Sequence, residues 1–263
     1  MSKPIYKNDA EYFADHDRVS ASMLSVFRKS RKLYHARFVA RTFEQGSSAR
    51  FDLGTACHTA VLEPDQLEAR VAVSPQIDRR TKAGKAEWQE FTEANDGKLI
   101  LKPDDFDTVQ RVRDSVMACG LARQLVEAAG PVEVPVVWQD LETGLGCKAK
   151  PDKMLGDGGT IVDLKTTSDA SEFGFSGSLA KFNYGIQAAH YLDGTGADRF
   201  VWVVVSVEPP HEVAVYELDA ESMARARSAH MQTLLELSVV SESGEWDPQP
   251  TAPTKIGIPK WWL

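Results

Sequence analysis

The chain of 263 residues contains no apolar run approaching the ~18 residues that a membrane-spanning helix requires. Its longest candidate, Val201-Trp202-Val203-Val204-Val205, has the length and β-branched character of a buried strand. The N-terminus carries Lys3, Asp9, Glu11 and Asp15 without the apolar stretch of a secretory signal. Cysteine is scarce. Cys57, Cys119 and Cys147 cannot close a disulfide framework, and they fall short of a four-cysteine iron–sulfur site. Grouped with His58 they supply zinc-type donors, but their spacing follows no zinc pattern. These absences predict a protein of a reducing cytoplasm with no membrane partner. Internal repeats and low-complexity segments are also missing. So is an overall basic excess: the net charge is −8, which argues against a protein that coats nucleic acid.

Positive charge is local instead. Between Arg18 and Arg50 lie Arg28, Lys29, Arg31, Lys32, Arg37 and Arg41, against the single acid Glu44. A second run is Arg79-Arg80-Thr81-Lys82 with Lys85. An acidic body with two basic stretches suits engagement of DNA in a restricted channel. Two solvated helix faces would give the same pattern.

The most informative segment is an acidic hairpin. Cys147 to Leu155 and Thr160 to Lys165 read as antiparallel strands around the turn Gly156-Asp157-Gly158-Gly159. With Leu155 facing Thr160, Asp152 falls opposite Asp163, and Lys165 shares the face of Asp163. Like charges placed directly opposite repel. A divalent cation between them would remove that penalty, and the nearby lysine could hold a water or a phosphate. A solvated hairpin with ordinary surface charges is the plainer reading. The metal reading puts both Asp163 and Lys165 on a solvent-accessible face, so replacing either by alanine is expected to leave the fold intact.

Around this hairpin the order is helices, three strands, helix, strand, strand, helix, an α/β arrangement with a helical N-terminal part. Ser20 is an N-cap for a helix reaching Tyr34, with Met23, Leu24, Phe27 and Leu33 on its apolar side. Further helices are expected near 53–62, 84–94, 103–118, 121–129, 182–192 and 220–237, with a basic loop at 74–84. Strands are expected at 132–138, 200–207 and 212–218. One domain over 1–263 is predicted: a mainly helical part to about 130, a sheet core over 131–245, and an extended, proline-rich tail over 246–263.

Several residues are weak signals singly and strong in order: Gly54-x-x-x-His58, Glu133, Pro151-Asp152, Asp163-Leu164-Lys165 and Gln187-x-x-x-Tyr191. His58 alone reads as an ordinary packing histidine, and Gln187 as an exposed glutamine. The set resembles the RecB-like branch of the PD-(D/E)XK nuclease superfamily. Its wording is closer to the exonuclease VIII (RecE) group, through Leu53-Gly54-Thr55-Ala56-Cys57-His58, Leu62-Glu63-Pro64, Arg79-Arg80-Thr81-Lys82, Lys150-Pro151-Asp152-Lys153, Asp163-Leu164-Lys165-Thr166-Thr167, Gln187-Ala188-Ala189-His190-Tyr191 and Ile258-Pro259-Lys260-Trp261. More distantly it is similar to the λ-type exonucleases.

The resemblance implies a restriction-endonuclease-like core, a mixed central sheet flanked by helices. It makes His58, Asp152, Asp163 and the carbonyl of Leu164 metal ligands and places Glu133 at the metal site. It has Lys165 position the attacking water, Gln187 orient that lysine or a phosphate, and Tyr191 support the helix. Magnesium is the implied ion, with manganese as substitute. The activity implied is digestion of double-stranded DNA ends from 5′ to 3′, leaving 3′ single strands for an annealing protein in bacterial or phage recombination. A homo-oligomeric ring is implied, a tetramer rather than a trimer. In the λ-type enzymes an arginine and hydroxyl groups at a helix start anchor the strand end. Arg18, Ser20 and Ser22 stand at the corresponding place, with Arg28 further along. Arg79, Arg80 and Lys82 are the other DNA-binding candidates. Two alternatives remain: a RecB-like nuclease with endonuclease or single-strand preference, and an inactive fold that only binds DNA.

Overall fold

The structure, a computed structural model, describes residues 6–43, 49–156, 158–249, 252–253 and 255–257. The helical part begins with α1 (Asp9–Ala14), α2 (Ala21–Lys29) and α3 (Arg31–Tyr34), extended by a π-turn over His35–Val39. Then come α4 (Ala49–Leu62), a 3-10 turn (Pro64–Gln66), α5 (Leu67–Arg70), β1 (Val71–Val73), α6 (Lys82–Ala94), β2 (Leu99–Leu101), α7 (Pro103–Ala118) and α8 (Gly120–Glu127). The sheet region follows: β3 (Val136–Gln139), β4 (Gly146–Ala149), β5 (Lys153–Met154), β6 (Thr160–Thr167), α9 (Glu172–Phe182), α10 (Tyr184–Thr195), β7 (Arg199–Ser206), β8 (Val213–Tyr216) and α11 (Ala220–Ser243).

The central sheet runs β5-β6-β7-β8. β6 and β7 are parallel, and both outer pairs are antiparallel. A parallel pair needs a long crossover, and α9 with α10 supplies it. β6 shows why the sheet is covered on both sides. Val162 and Leu164 point to one face, where they join Val203 and Val205 against Ala56, Cys57 and Ala60 of α4 and Val109, Val112 and Val116 of α7. Ile161 points to the other, with Trp202 and Val204 against Phe175 of α9 and Ala188 and Leu192 of α10. A third cluster joins α2, through Leu24 and Phe27, to Leu234 and Leu237 of α11.

Several expected boundaries shift for local reasons. The helix begun at Ser20 stops at Ser30, whose hydroxyl accepts from Leu33 N–H at 3.1 Å and starts α3 afresh. The single expected crossover helix is two, broken at Asn183, which sits in the left-handed region at φ 57°. The first hairpin strand is also two. β4 pairs with β3, and the chain bends at Lys150-Pro151 before β5, because proline cannot donate to a ladder. β1 and β2 form a small parallel pair that was not expected. The tail motif Ile258-Pro259-Lys260-Trp261 and the turn residue Asp157 lie outside the described residues. Within the tail, Trp246 stacks on Tyr34 at 5.6 Å between ring centroids. Among the described residues, no helix is long and apolar enough to cross a membrane.

Candidate active site

The hairpin register is as the turn chemistry predicts. Lys153 pairs with Val162 and Met154 with Ile161, and Leu155 N–H reaches Thr160 O at 2.9 Å, so Asp152 stands across from Asp163. β5 begins only at Lys153 because Pro151 precedes Asp152. The edge of β6 beyond Val162 is therefore left without a strand. Asp152 fills the gap with its side chain: Oδ2 accepts from Leu164 N–H at 2.8 Å, where a ladder carbonyl would otherwise sit. A strand residue directs its N–H and C=O to the same edge. The Leu164 carbonyl thus faces the opening as well.

Three further groups converge there. His58 on α4 brings Nδ1 to 3.3 Å from Asp152 Oδ2. Gly54, one turn earlier on α4, lets the helix lie close to β6: a Cβ there would stand 3.4 Å from Thr166 Oγ1. Glu133 arrives on the segment 131–133, which is tied to the hairpin by Met154 N–H to Pro131 O and Glu133 N–H to Asp152 O, both 3.0 Å. Its backbone is left-handed, at φ 55°, a conformation that strains a non-glycine residue by roughly 1–3 kcal/mol. Gly130 makes the approach feasible, since a Cβ there would lie 1.9 Å from Met154 O. The donor atoms of His58, Glu133 and Asp152 all lie within 4.8 Å of one another.

Asp163 and Lys165 project to the α10 side of β6. Asp163 is fully buried; its Oδ1 accepts from Gln187 Nε2 at 3.0 Å, and its Oδ2 contacts the Lys165 ammonium. Lys165 Nζ lies over the Tyr184 ring, 4.8 Å from its centroid. Tyr191 donates its hydroxyl to Lys150 O at 3.4 Å. Lys150 in turn bridges Glu133 Oε2 at 2.7 Å and Asp9 Oδ1 at 2.9 Å. Tyr184 and Lys150 were not singled out from sequence as site residues. Tyr184, Gln187 and Tyr191 follow the i, i+3, i+7 rule for one helix face, which could have found the tyrosine. The solvent-accessible face expected for Asp163 and Lys165 is not what the structure shows. Asp163 is at 0% exposure and the Lys165 side chain at 15%.

Burial sets the charges. It raises the Asp163 carboxyl to about 6, against the pull of Lys165, and it raises Asp152 and Glu133 as well. Burial would lower the Lys165 ammonium, but Asp163 and Asp152 hold it above its ordinary value. The His58 imidazole is pushed down by burial and then by Lys165. It therefore stays neutral at pH 7, the form that binds a metal. A carboxylate set this crowded and this dry fits a cation. Opposite ligands of one magnesium ion stand roughly 4.2 Å apart, so the His58–Glu133–Asp152 donors need little adjustment to share an ion. Asp163 is not within that trio.

The remaining sequence candidates are elsewhere or already engaged. Arg18 pairs with Asp15 at 2.7 Å. Ser20 Oγ meets Ser22 Oγ at 3.0 Å and caps α2 at Met23 N–H. Arg28 donates to Thr233 Oγ1 of α11 at 3.1 Å. Arg79 lies over Trp88, 4.3 Å from the ring centroid, and Arg80 pairs with Asp78 at 3.0 Å. Lys82 opens α6 after the cap at Thr81.

Residues 20–251 match a family model described as a PDDEXK-like domain of unknown function (DUF3799). The chain belongs to this PDDEXK-like family. The crystal structure of a proposed exonuclease from Eubacterium rectale has the same fold, with a TM-score of 0.65 at 14% identity over 98% of this chain and 97% of that one. An alkaline exonuclease from Laribacter hongkongensis aligns over 90% and 96% at 13% identity, with a TM-score of 0.36. A phage-related exonuclease from Haemophilus somnus aligns over 71% and 95% at 13% identity, with a TM-score of 0.32. No curated protein matches the sequence. The restriction-endonuclease-like core expected from the motifs is therefore the PDDEXK fold. Its central elements are the β5–β6 hairpin, with β7 beside it and α10 across one face.

Proposed function

We propose that this PDDEXK protein is a metal-dependent exonuclease acting on double-stranded DNA ends, 5′ to 3′, and that it leaves 3′ single strands for annealing. The observation that carries the reading is the junction at the start of β5. There His58, Glu133 and Asp152 bring three donors within 4.8 Å of one another, beside the Asp163–Lys165 pair. His58, Glu133 and Asp152 would hold the ion, with the Leu164 carbonyl facing the same opening. Magnesium or manganese bound there supplies charge neutralisation on the phosphate and acidifies a bound water. Mixed oxygen and imidazole donors suit manganese as well as magnesium.

The chain's own groups do the positioning. The Lys165 ammonium can donate to the attacking water or to a non-bridging phosphate oxygen. Asp163 keeps it charged and, through Gln187, fixes its height above β6. Lys150 holds the Glu133 carboxylate from the opposite side. Hydrolysis adds water across one P–O bond, with one product oxygen taking up a proton and the new phosphate releasing one. An acidic subunit that holds a duplex is best served by a ring of copies with basic residues inside. A homo-oligomer is therefore part of this reading, a tetramer before a trimer.

The test is linear blunt duplex incubated with magnesium, with manganese, and with chelator, each strand labelled at one end. Mononucleotide release from 5′ ends, lost in Asp152→Asn and Lys165→Met, is the expected result. Internal cuts or a preference for single strands would favour the RecB-like alternative. Metal-independent binding without any cleavage would favour the inactive module.

A further inference from the structure

The described surface leaves two phenylalanines largely exposed beside this site, Phe13 meeting only the edge of Tyr12 and Phe182 only Tyr184 among aromatic rings. Phe13, at the end of α1, is 64% exposed, although its neighbour Tyr12 is buried. Phe182, the last residue of α9, is 48% exposed. Each ring touches one of the site's two lysines or the tyrosine beneath it. Phe13 lies 5.7 Å from Lys150 Nζ, the ammonium that holds Glu133. Phe182 packs on Tyr184 at 5.5 Å between centroids, and Tyr184 lies under Lys165. Lys181 also stands 5.2 Å from the Phe182 ring. One exposed ring thus marks the Glu133 end of the carboxylate cluster, and the other marks the Lys165 end.

Resting on the nuclease reading above, we infer that Phe13 and Phe182 are stacking platforms for unpaired nucleobases on the two sides of the phosphate being cut. A strand whose phosphate reaches the His58–Glu133–Asp152 trio must carry its neighbouring nucleotides past the two ends of that cluster. At Phe182 the π-face would take the base and Lys181 the adjoining phosphate, whereas at Phe13 the ring alone would act, because Lys150 is held by Glu133 and Asp9. Stacking of this kind does not depend on base identity, because every base has a π-face. It also requires an unpaired base, so the platforms would hold bases frayed from the end of the duplex being digested. A protein partner would be seated equally well by exposed phenylalanines. Continuity with the carboxylate cluster, through Lys150 on one side and Tyr184 on the other, is what favours the nucleic acid.

The experiment uses the full chain with calcium replacing magnesium, so that a bound strand stays intact. Binding of a fluorescein-labelled single strand is measured for wild type, Phe13→Ala, Phe182→Ala, and the Trp and Leu variants at each position. A second strand carries 2-aminopurine, whose emission is quenched on stacking. Each alanine is expected to weaken binding about tenfold and to release the quench, while tryptophan restores both and leucine does not. Since Phe13 is largely and Phe182 about half exposed, the alanine variants should remain folded with only a small change in melting temperature. Alanine variants that bind within twofold of wild type, or leucine variants that bind as well as phenylalanine, would overturn the stacking assignment. That failure is separate from failure of the nuclease reading, which would show as no metal-dependent cleavage of any DNA by the wild type.

Discussion

Asp163→Ala should destabilise the protein strongly, even with every divalent ion removed. The carboxylate is fully buried, and the Lys165 side chain beside it is only 15% exposed. Removing the acid leaves a mostly buried ammonium over the Tyr184 ring, without its nearest counter-charge. Breaking a buried pair in this way costs about 3–5 kcal/mol. The Gln187 amide also loses its acceptor, about 1 kcal/mol more. Asp152 lies near enough to offset part of this, so a net loss of about 4 kcal/mol is reasonable. For a chain of this size that is roughly a 10 °C drop in Tm. The assay is urea unfolding in chelator, followed by circular dichroism, for Asp163→Ala, Lys165→Met and the double variant. The double variant should recover at least half the loss, because an apolar side chain then replaces the stranded charge. A midpoint for Asp163→Ala equal to wild type, or a double variant equal to the sum of the singles, would refute the buried-pair reasoning and restore the solvent-accessible face.

His58→Ala should raise the calcium or manganese concentration for half-saturation by at least about tenfold, since even the outer partners of metal ligands are worth that much; an unchanged calorimetric titration would return His58 to a packing role. Gly130→Ala should cost about 3 kcal/mol or more, and the surviving protein should bind metal poorly, because a Cβ at φ 154° would lie 1.9 Å from Met154 O and displace Glu133; a wild-type melt would contradict this. His190 is buried between His230 and the Lys148 carbonyl, and its imidazole is pushed down to about 3, first by burial and then by His230. The unfolded chain takes up a proton at this site from pH 6.5 downward while the folded chain does not until about 3. Stability is therefore lost as pH falls through that window, by about 3 kcal/mol at pH 4.5. In urea titrations at pH 7 and 4.5, His190→Gln should show a correspondingly smaller loss than wild type.

The parts of the fold that rest on local chemistry could be read from sequence. Pro103 at the first turn of α7 and the long amphipathic pattern behind it gave that helix its bounds. The Gly156–Gly159 turn with alternation in β6 gave the hairpin register, and with it the pairing of Asp152 and Asp163. α9 was missed because Gly174 and Gly177 and the run of aromatic residues give it little helical signature. β1 and β2 were missed because three-residue strands carry almost no period.

The site divides along the same line. His58, Asp152 and Lys165 depend on which element carries them, and a strand or helix fixes that from its own sequence. Glu133 depends on a backbone bend at positive φ and on Gly130 lying against the carbonyl of Met154, distant in sequence but adjacent in space. No pattern in residues 130–133 encodes that contact. Asp163 was placed on the right strand and the right face, yet its environment was misjudged. Alternation says which way a side chain points, but not what the crossover helix lays over it. Here α10 brings Gln187 onto one carboxylate oxygen, and Tyr184 covers the lysine that meets the other. The result is a division of labour between two acids that look equivalent in the sequence. Asp152 spends one oxygen on the Leu164 amide and stays at the opening with His58 and Glu133. Asp163 turns under the sheet's covering helix to keep Lys165 charged. The difference comes from where β5 starts. A strand begun two residues earlier, at Pro151, would have given Leu164 a ladder partner, pushed the Asp152 side chain off the edge, and closed the gap in which the three donors meet.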